Sequence, residues 1–204
     1  MNKLTTAIAA LVVAGTANAS DVYSYSSTFD LGELGISKLA LEIPVGELDL
    51  TRGSSDAMEI RVEISGDDCR GDKEPEPTVL AKSRGDRLFI EVDGEDCTAE
   101  LDIVLPESTE LDIEMGVGSI DVVTSHNTRI EAGVGEVIVR VNSAEFNRMS
   151  GEVGVGEVGI RVDEGGNVES ERFFITESVI WRGDGEHELD VDLGVGDISI
   201  RERD

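Results

Sequence analysis

The tripeptide Gly-Val-Gly begins at Gly116, Gly133, Gly154 and Gly194, with a Pro-Val-Gly variant at Pro44, and each copy leads into an alternating apolar segment. Arg140, Arg161, Arg182 and Arg201 follow at spacings of 21, 21 and 19 residues. Four positions before these arginines stand Glu136, Glu157, Ser178 and Asp197, so Glu177 to Arg182 reads as a degenerate copy that has lost its glycines. A unit of this size cannot bury an apolar face by itself, and self-similarity at a fixed period marks a stacked array.

Within each copy the period is two. Met58, Ile60, Val62 and Ile64 alternate with polar residues, as do Leu101, Ile103 and Leu105, then Leu111, Ile113 and Met115, then Leu189, Val191 and Leu193. Strict alternation gives strands with one buried face. No long window keeps apolar positions at helical spacing without a glycine or β-branched interruption. The chain therefore reads as all-β, a single-stranded β-helix-like (β-solenoid) stack with GVG corners and rungs of about 20 residues. Aligning the copies puts Val137, Val139 and Val141, Val158, Ile160 and Val162, Val179 and Trp181, and Ile198 and Ile200 inside. Arg140, Arg161, Arg182 and Arg201 then form one exposed column, the expected partner-binding face.

Residues 1–19 open with Lys3, continue through an apolar run from Ala7 to Ala14 and end on small residues at Ala17 and Ala19. That pattern is a secretory signal peptide cut near Ala19, leaving residues 20–204 as one β-repeat domain, periplasmic or secreted. The apolar run is too short for an anchor of about 20 residues, and no later stretch reads as an integral membrane segment. The chain carries 17 basic and 44 acidic side chains, a net charge of −27. Such a charge repels phosphate backbones and excludes nucleic acid as a partner.

The two cysteines, Cys69 and Cys97, sit in matched contexts, SGDDC and DGEDC, each just after an alternating segment. In an oxidising compartment they are expected to form a disulfide, whose loop closure is worth roughly 3 to 4 kcal/mol. The spacing suits neither a CxxC redox pair nor a zinc site.

No GxSxG, HExxH or P-loop pattern is present, and the two histidines, His126 and His187, lie in polar turns. No catalytic residue is assigned and the chain reads as a non-enzyme. Trp181 falls on the interior register, which leaves no aromatic platform for sugar. If Glu136, Glu157 and Asp197 stack, each neighbouring pair repels by only about 0.8 kcal/mol at 5 Å in water, so the column can stand as a solvated face. The same three residues are the weak candidates for a metal. Calcium is the one possible cofactor, although it needs six or more converging oxygens.

The run DIVLPESTELDIEMGVGSIDV (residues 102–122), followed by GVGEVIVRV, GVGEVGIRV and GVGDISIR, resembles the bacterial putative-adhesin family of secreted or membrane-tethered β-repeat domains, also called toastrack domains. The resemblance covers about Asp49 to the end. It implies a β-helix-like stack found on envelope-stress and surface proteins, and it supplies no catalytic residues to carry over. The expected function is an exported non-catalytic scaffold or adhesin-like protein that presents a surface to an envelope or cell-surface partner. The alternative is a divalent-cation (calcium) binding module, with a carbohydrate-active enzyme a distant third.

Overall fold

A computed structural model describes residues 22–66, 77–94, 96–163, 166–173 and 175–203. The expected signal peptide and Cys69 lie outside the described residues. Apart from a four-residue helix, Leu31–Leu34, and a 3-10 turn, Ser143–Glu145, the described chain is all β. Twelve strands join in one sheet: β1 Val22–Asp30, β2 Lys38–Gly53, β3 Ala57–Ser65, β4 Thr78–Arg84, β5 Arg87–Asp93, β6 Thr98–Pro106, β7 Glu110–Thr124, β8 Thr128–Val141, β9 Phe146–Arg161, β10 Asn167–Phe173, β11 Thr176–Arg182 and β12 His187–Glu202. Among the described residues no helix is long and apolar enough to cross a membrane.

Five long strands, in the order β2-β7-β8-β12-β9, run parallel and form the body of the fold. Each carries one Gly-Val-Gly or Pro-Val-Gly near its middle, and the pairing stacks these tripeptides in register: Val45, Val117, Val134, Val195 and Val155 are successive neighbours. The tripeptide is also where the buried face changes parity. In β7 the inward residues are Leu111, Ile113 and Met115, then Ile120 and Val122; in β12 they are Leu189, Val191 and Leu193, then Ile198 and Ile200. An odd step reverses which face a residue occupies, yet both halves of every rung belong to one core. The two halves look at each other across it: a Cβ on Gly151, before the tripeptide of β9, would meet Val158 at 2.7 Å and Ile198 at 3.5 Å.

The flanking strands extend these halves separately. The first half of β2 pairs with β5, which pairs with β4, while its second half pairs with β6, which leads to β3 and β1. At the other end only the first half of β9 gains β11 and then β10. The interior assigned from the repeats is the observed one: Val137, Val139, Val141, Val158, Val179, Trp181, Ile198 and Ile200 are buried, and Ile160 and Val162 pack partly exposed against them.

The rungs do not stack in chain order. β12 enters between β8 and β9, so Arg201 is the direct neighbour of both Arg140 and Arg161, and Asp197 stands between Glu136 and Glu157. The expected column of four arginines is accordingly a column of three. Arg182 is excluded because β11 runs antiparallel to β9, which sets Arg182 opposite Arg148 and Ser178 opposite Glu152.

Candidate functional site

The outer surface is built from rows, each made of one residue per rung. Two residues before the first glycine of each tripeptide, or before Pro44, stands a carboxylate, and the register lines up Glu91, Glu42, Glu114, Glu131, Asp192 and Glu152 across six adjacent strands. Next to this row the backbone of Gly116, Gly133, Gly194 and Gly154, with Pro44, forms the floor of an open groove of about 780 Å³. These glycines are required by the stacking, since a Cβ on any of them would overlap the carbonyl of the rung beside it. One residue further along each strand comes the valine ladder, whose five members are 40% to 47% exposed. Single exposed apolar residues are ordinary, but a continuous row of five is not.

Beyond the valines lies a second acidic row, in which Glu100, Glu47, Ser119, Glu136, Asp197 and Glu157 are neighbours. The three metal candidates are thus adjacent, in the order Glu136, Asp197, Glu157. They lie along a line, and among the described residues no group of three His, Cys, Asp or Glu side chains is placed to hold a metal ion. The Asp197 carboxylate instead accepts the Glu157 N–H at 3.1 Å.

Partial burial, and then crowding by like charges, raises two carboxyls. Burial, and then Glu152, Glu131 and Asp190, hold the Asp192 carboxyl above its ordinary range, with Arg129 opposing. Burial, then Asp121 and Asp102, raise Asp49 in the same way; Asp49 is the register neighbour of both. Partial compensation comes from the same faces. Arg129 bonds Glu131, Lys82 pairs with Glu91, and the Arg140 guanidinium grips both carboxylate oxygens of Asp121. Arg140 is therefore engaged within the surface, Arg182 donates to Glu169 at 2.9 Å, and the exposed arginines of the surviving column are Arg161 and Arg201.

At the far end of the rungs the fold builds two features that the sequence did not announce. Arg52, at the end of β2, donates from Nε to the Val123 carbonyl (3.0 Å), from Nη1 to those of Pro106 (2.7 Å) and Thr109 (3.0 Å), and from Nη2 to Thr124 Oγ1 (3.1 Å). Burial pulls its pKa down to about 10, so it remains a cation at neutral pH. His126 and His187 stack with ring centroids 4.4 Å apart. Burial, then His187 and Arg52, lower the pKa of His126. The half-buried His126 thus departs from the solvated turn residue that the sequence suggests. Ser125 Oγ lies 3.3 Å from His126 Nδ1 and donates to Glu107 Oε2 at 3.1 Å, while the buried Arg52, held by four acceptors, ties β2 to the segments around it.

Cys97 packs partly buried against the core and is not a free thiol. Its pairing with Cys69 remains a proposal.

No curated protein matches the chain in sequence. Among solved structures, a putative cell adhesion protein from Clostridium sporogenes is 17% identical and superposes with a TM-score of 0.52 over 89% of this chain and 100% of that one, which shows a shared fold. A putative adhesin from Bacteroides fragilis, 10% identical over 87% of this chain and 96% of that one, has a TM-score of 0.35, too low to carry an argument. The family model described as the N-terminal domain of toast_rack, DUF2154, matches residues 18–161, from before β1 to the last residue of β9. With the repeat-built sheet that accompanies that match, the chain belongs to the toast_rack N-terminal domain family.

Proposed function

We propose that the protein is an exported, non-catalytic, adhesin-like scaffold whose outer rows meet an envelope or cell-surface partner. The observation that carries this reading is the arrangement of the chemistry. Carboxylates, valines and arginines are set out in parallel rows over five or more strands, and a regular extended face suits distributed binding to a macromolecule better than turnover of a small substrate in a pocket. The fold shared with a putative cell adhesion protein supports the same reading.

Cell fractionation and co-sedimentation test it. The full chain expressed in bacteria is expected in the periplasm or medium, shortened by its first 19 residues, and the purified mature protein should co-sediment saturably with isolated envelopes. Full-length recovery from the cytoplasm would contradict export. Absence of saturable co-sedimentation would contradict the scaffold role.

A further inference from the structure

We infer that the groove beside the carboxylate row, together with the valine ladder one residue beyond its floor, is a docking track for an extended protein segment that alternates basic and apolar residues. The inference rests on the scaffold reading and adds the chemistry of the partner. Along four of the five rungs the order is carboxylate, inward side chain, bare glycine, outward valine, as in Glu114, Met115, Gly116 and Val117 or Asp192, Leu193, Gly194 and Val195, and in β2 Pro44 takes the place of the glycine. Stacking the rungs turns this order into a trough whose wall is acidic and whose floor is backbone, with the exposed valine row one residue further along each strand.

Five rungs about 4.8 Å apart give a track of about 19 Å, the span of six extended residues. A segment lying there with alternating side chains directs one set to the carboxylates and the other to the valines. Charge complementarity selects lysine or arginine for the first set, because Glu42, Glu114, Asp192 and Glu152 share their row with only two ion pairs, Arg129 to Glu131 and Lys82 to Glu91, among the described residues. The raised pKa of Asp192, in the middle of the row, is consistent with a wall that gains from an added cation. The glycine floor has a structural origin in close rung stacking, whereas the central residue of each tripeptide is exposed and is valine in all five rungs.

A fluorescent heptapeptide of alternating lysine and valine, titrated into the mature protein at fixed salt, tests the inference against a lysine and serine peptide of equal charge. The lysine–valine peptide should bind about tenfold more tightly. Replacing Val117, Val134 and Val195 together by threonine, which keeps the strand preference, should abolish that advantage, as should Glu114→Gln, Glu131→Gln and Asp192→Asn together. If the triple valine variant does not fold, Val134→Thr alone should move affinity in the same direction. Equal binding of the two peptides, or a valine variant that binds as the wild type does, would overturn the inference by reducing the attraction to diffuse charge. Envelope co-sedimentation separates the two readings: if it persists in the valine variants, the scaffold stands and the track falls. If the wild type binds peptide selectively without co-sedimenting, the track stands and the scaffold falls.

Discussion

A Cβ built on Gly135 would overlap the carbonyl oxygen of Gly118 on the neighbouring rung, and Gly135 also sits at φ +151. Space and backbone conformation therefore both demand glycine there. Gly135→Ala should destabilise the fold by at least about 3 kcal/mol, since strain at φ > 0 adds to a clash with main chain that cannot move aside. Gly159, in the next glycine-rich copy, has only the Ile198 carbonyl within reach of a Cβ, at 3.9 Å. Gly159→Ala should be neutral or stabilising, by up to about 1 kcal/mol. Urea denaturation of both variants checks the contrast; similar losses in the two would remove the stacking explanation.

Stability should carry opposing pH dependences. Asp49 and Asp192 have folded-state values raised above their unfolded ones, so the native state holds more protons in that window and stability falls as pH rises through it. Asp192→Asn should therefore raise the melting temperature at pH 7, and the gain should vanish in acid, once the wild-type carboxyl is protonated. The effect should stay below about 1 kcal/mol, because the group is exposed and screened. A gain that is the same at every pH would show that charge is not its cause.

His126 acts in the opposite sense. Its folded value is lowered, so its contribution is complete above the ordinary imidazole value and is lost as pH falls below it. His126→Gln should flatten the decline in melting temperature between about pH 7 and 5.5. An unchanged profile would exclude it as the titrating group.

Arg52→Met should cost about 2 to 4 kcal/mol, because it removes the donors that the guanidinium supplies to the carbonyls of Pro106, Thr109 and Val123. Arg52→Lys should recover only part of this, since one ammonium cannot reproduce a planar fork serving four acceptors. Chemical denaturation monitored by circular dichroism measures both variants. Equal stability of lysine and methionine variants would mean that the geometry of the fork is irrelevant.

The proposed Cys69–Cys97 bridge should show itself as an absence of titratable thiol in the unreduced protein, and Cys97→Ser should lower the unfolding midpoint without abolishing the sheet. Two reactive thiols in the native protein would end the proposal.

Much of this architecture was readable in the chain because glycine spacing and two-residue alternation are local. The inward positions of β8, β9 and β12 follow from aligning three near-identical segments. Their spatial order does not: GVGEVIVR, GVGEVGIR and GVGDISIR offer nearly the same edge to one another, so nothing local tells β12 to enter between β8 and β9. That insertion alone brings His187 beside His126, each two residues before a pair of register partners, Leu189 and Thr128. The spacing of Arg182 mimics the repeat, but β11 runs the other way as the antiparallel partner of β10 and β9. The carboxylate wall of the groove has its own signal in the chain: an acidic residue stands two places before Pro44, Gly116, Gly133, Gly154 and Gly194 alike.

Every row, the groove and the three-arginine column depend on β12 lying in register between β8 and β9. Cysteine cross-linking in a chain with Cys69 and Cys97 replaced by serine tests this most directly, because adjacent register partners fall within disulfide reach and others do not. Arg201→Cys should oxidise to a disulfide with Arg140→Cys, and equally with Arg161→Cys, whereas Arg161→Cys with Arg182→Cys should stay reduced. Efficient bridging of positions 161 and 182, with none from position 201 to position 140, would show that the rungs stack in chain order and would contradict the account.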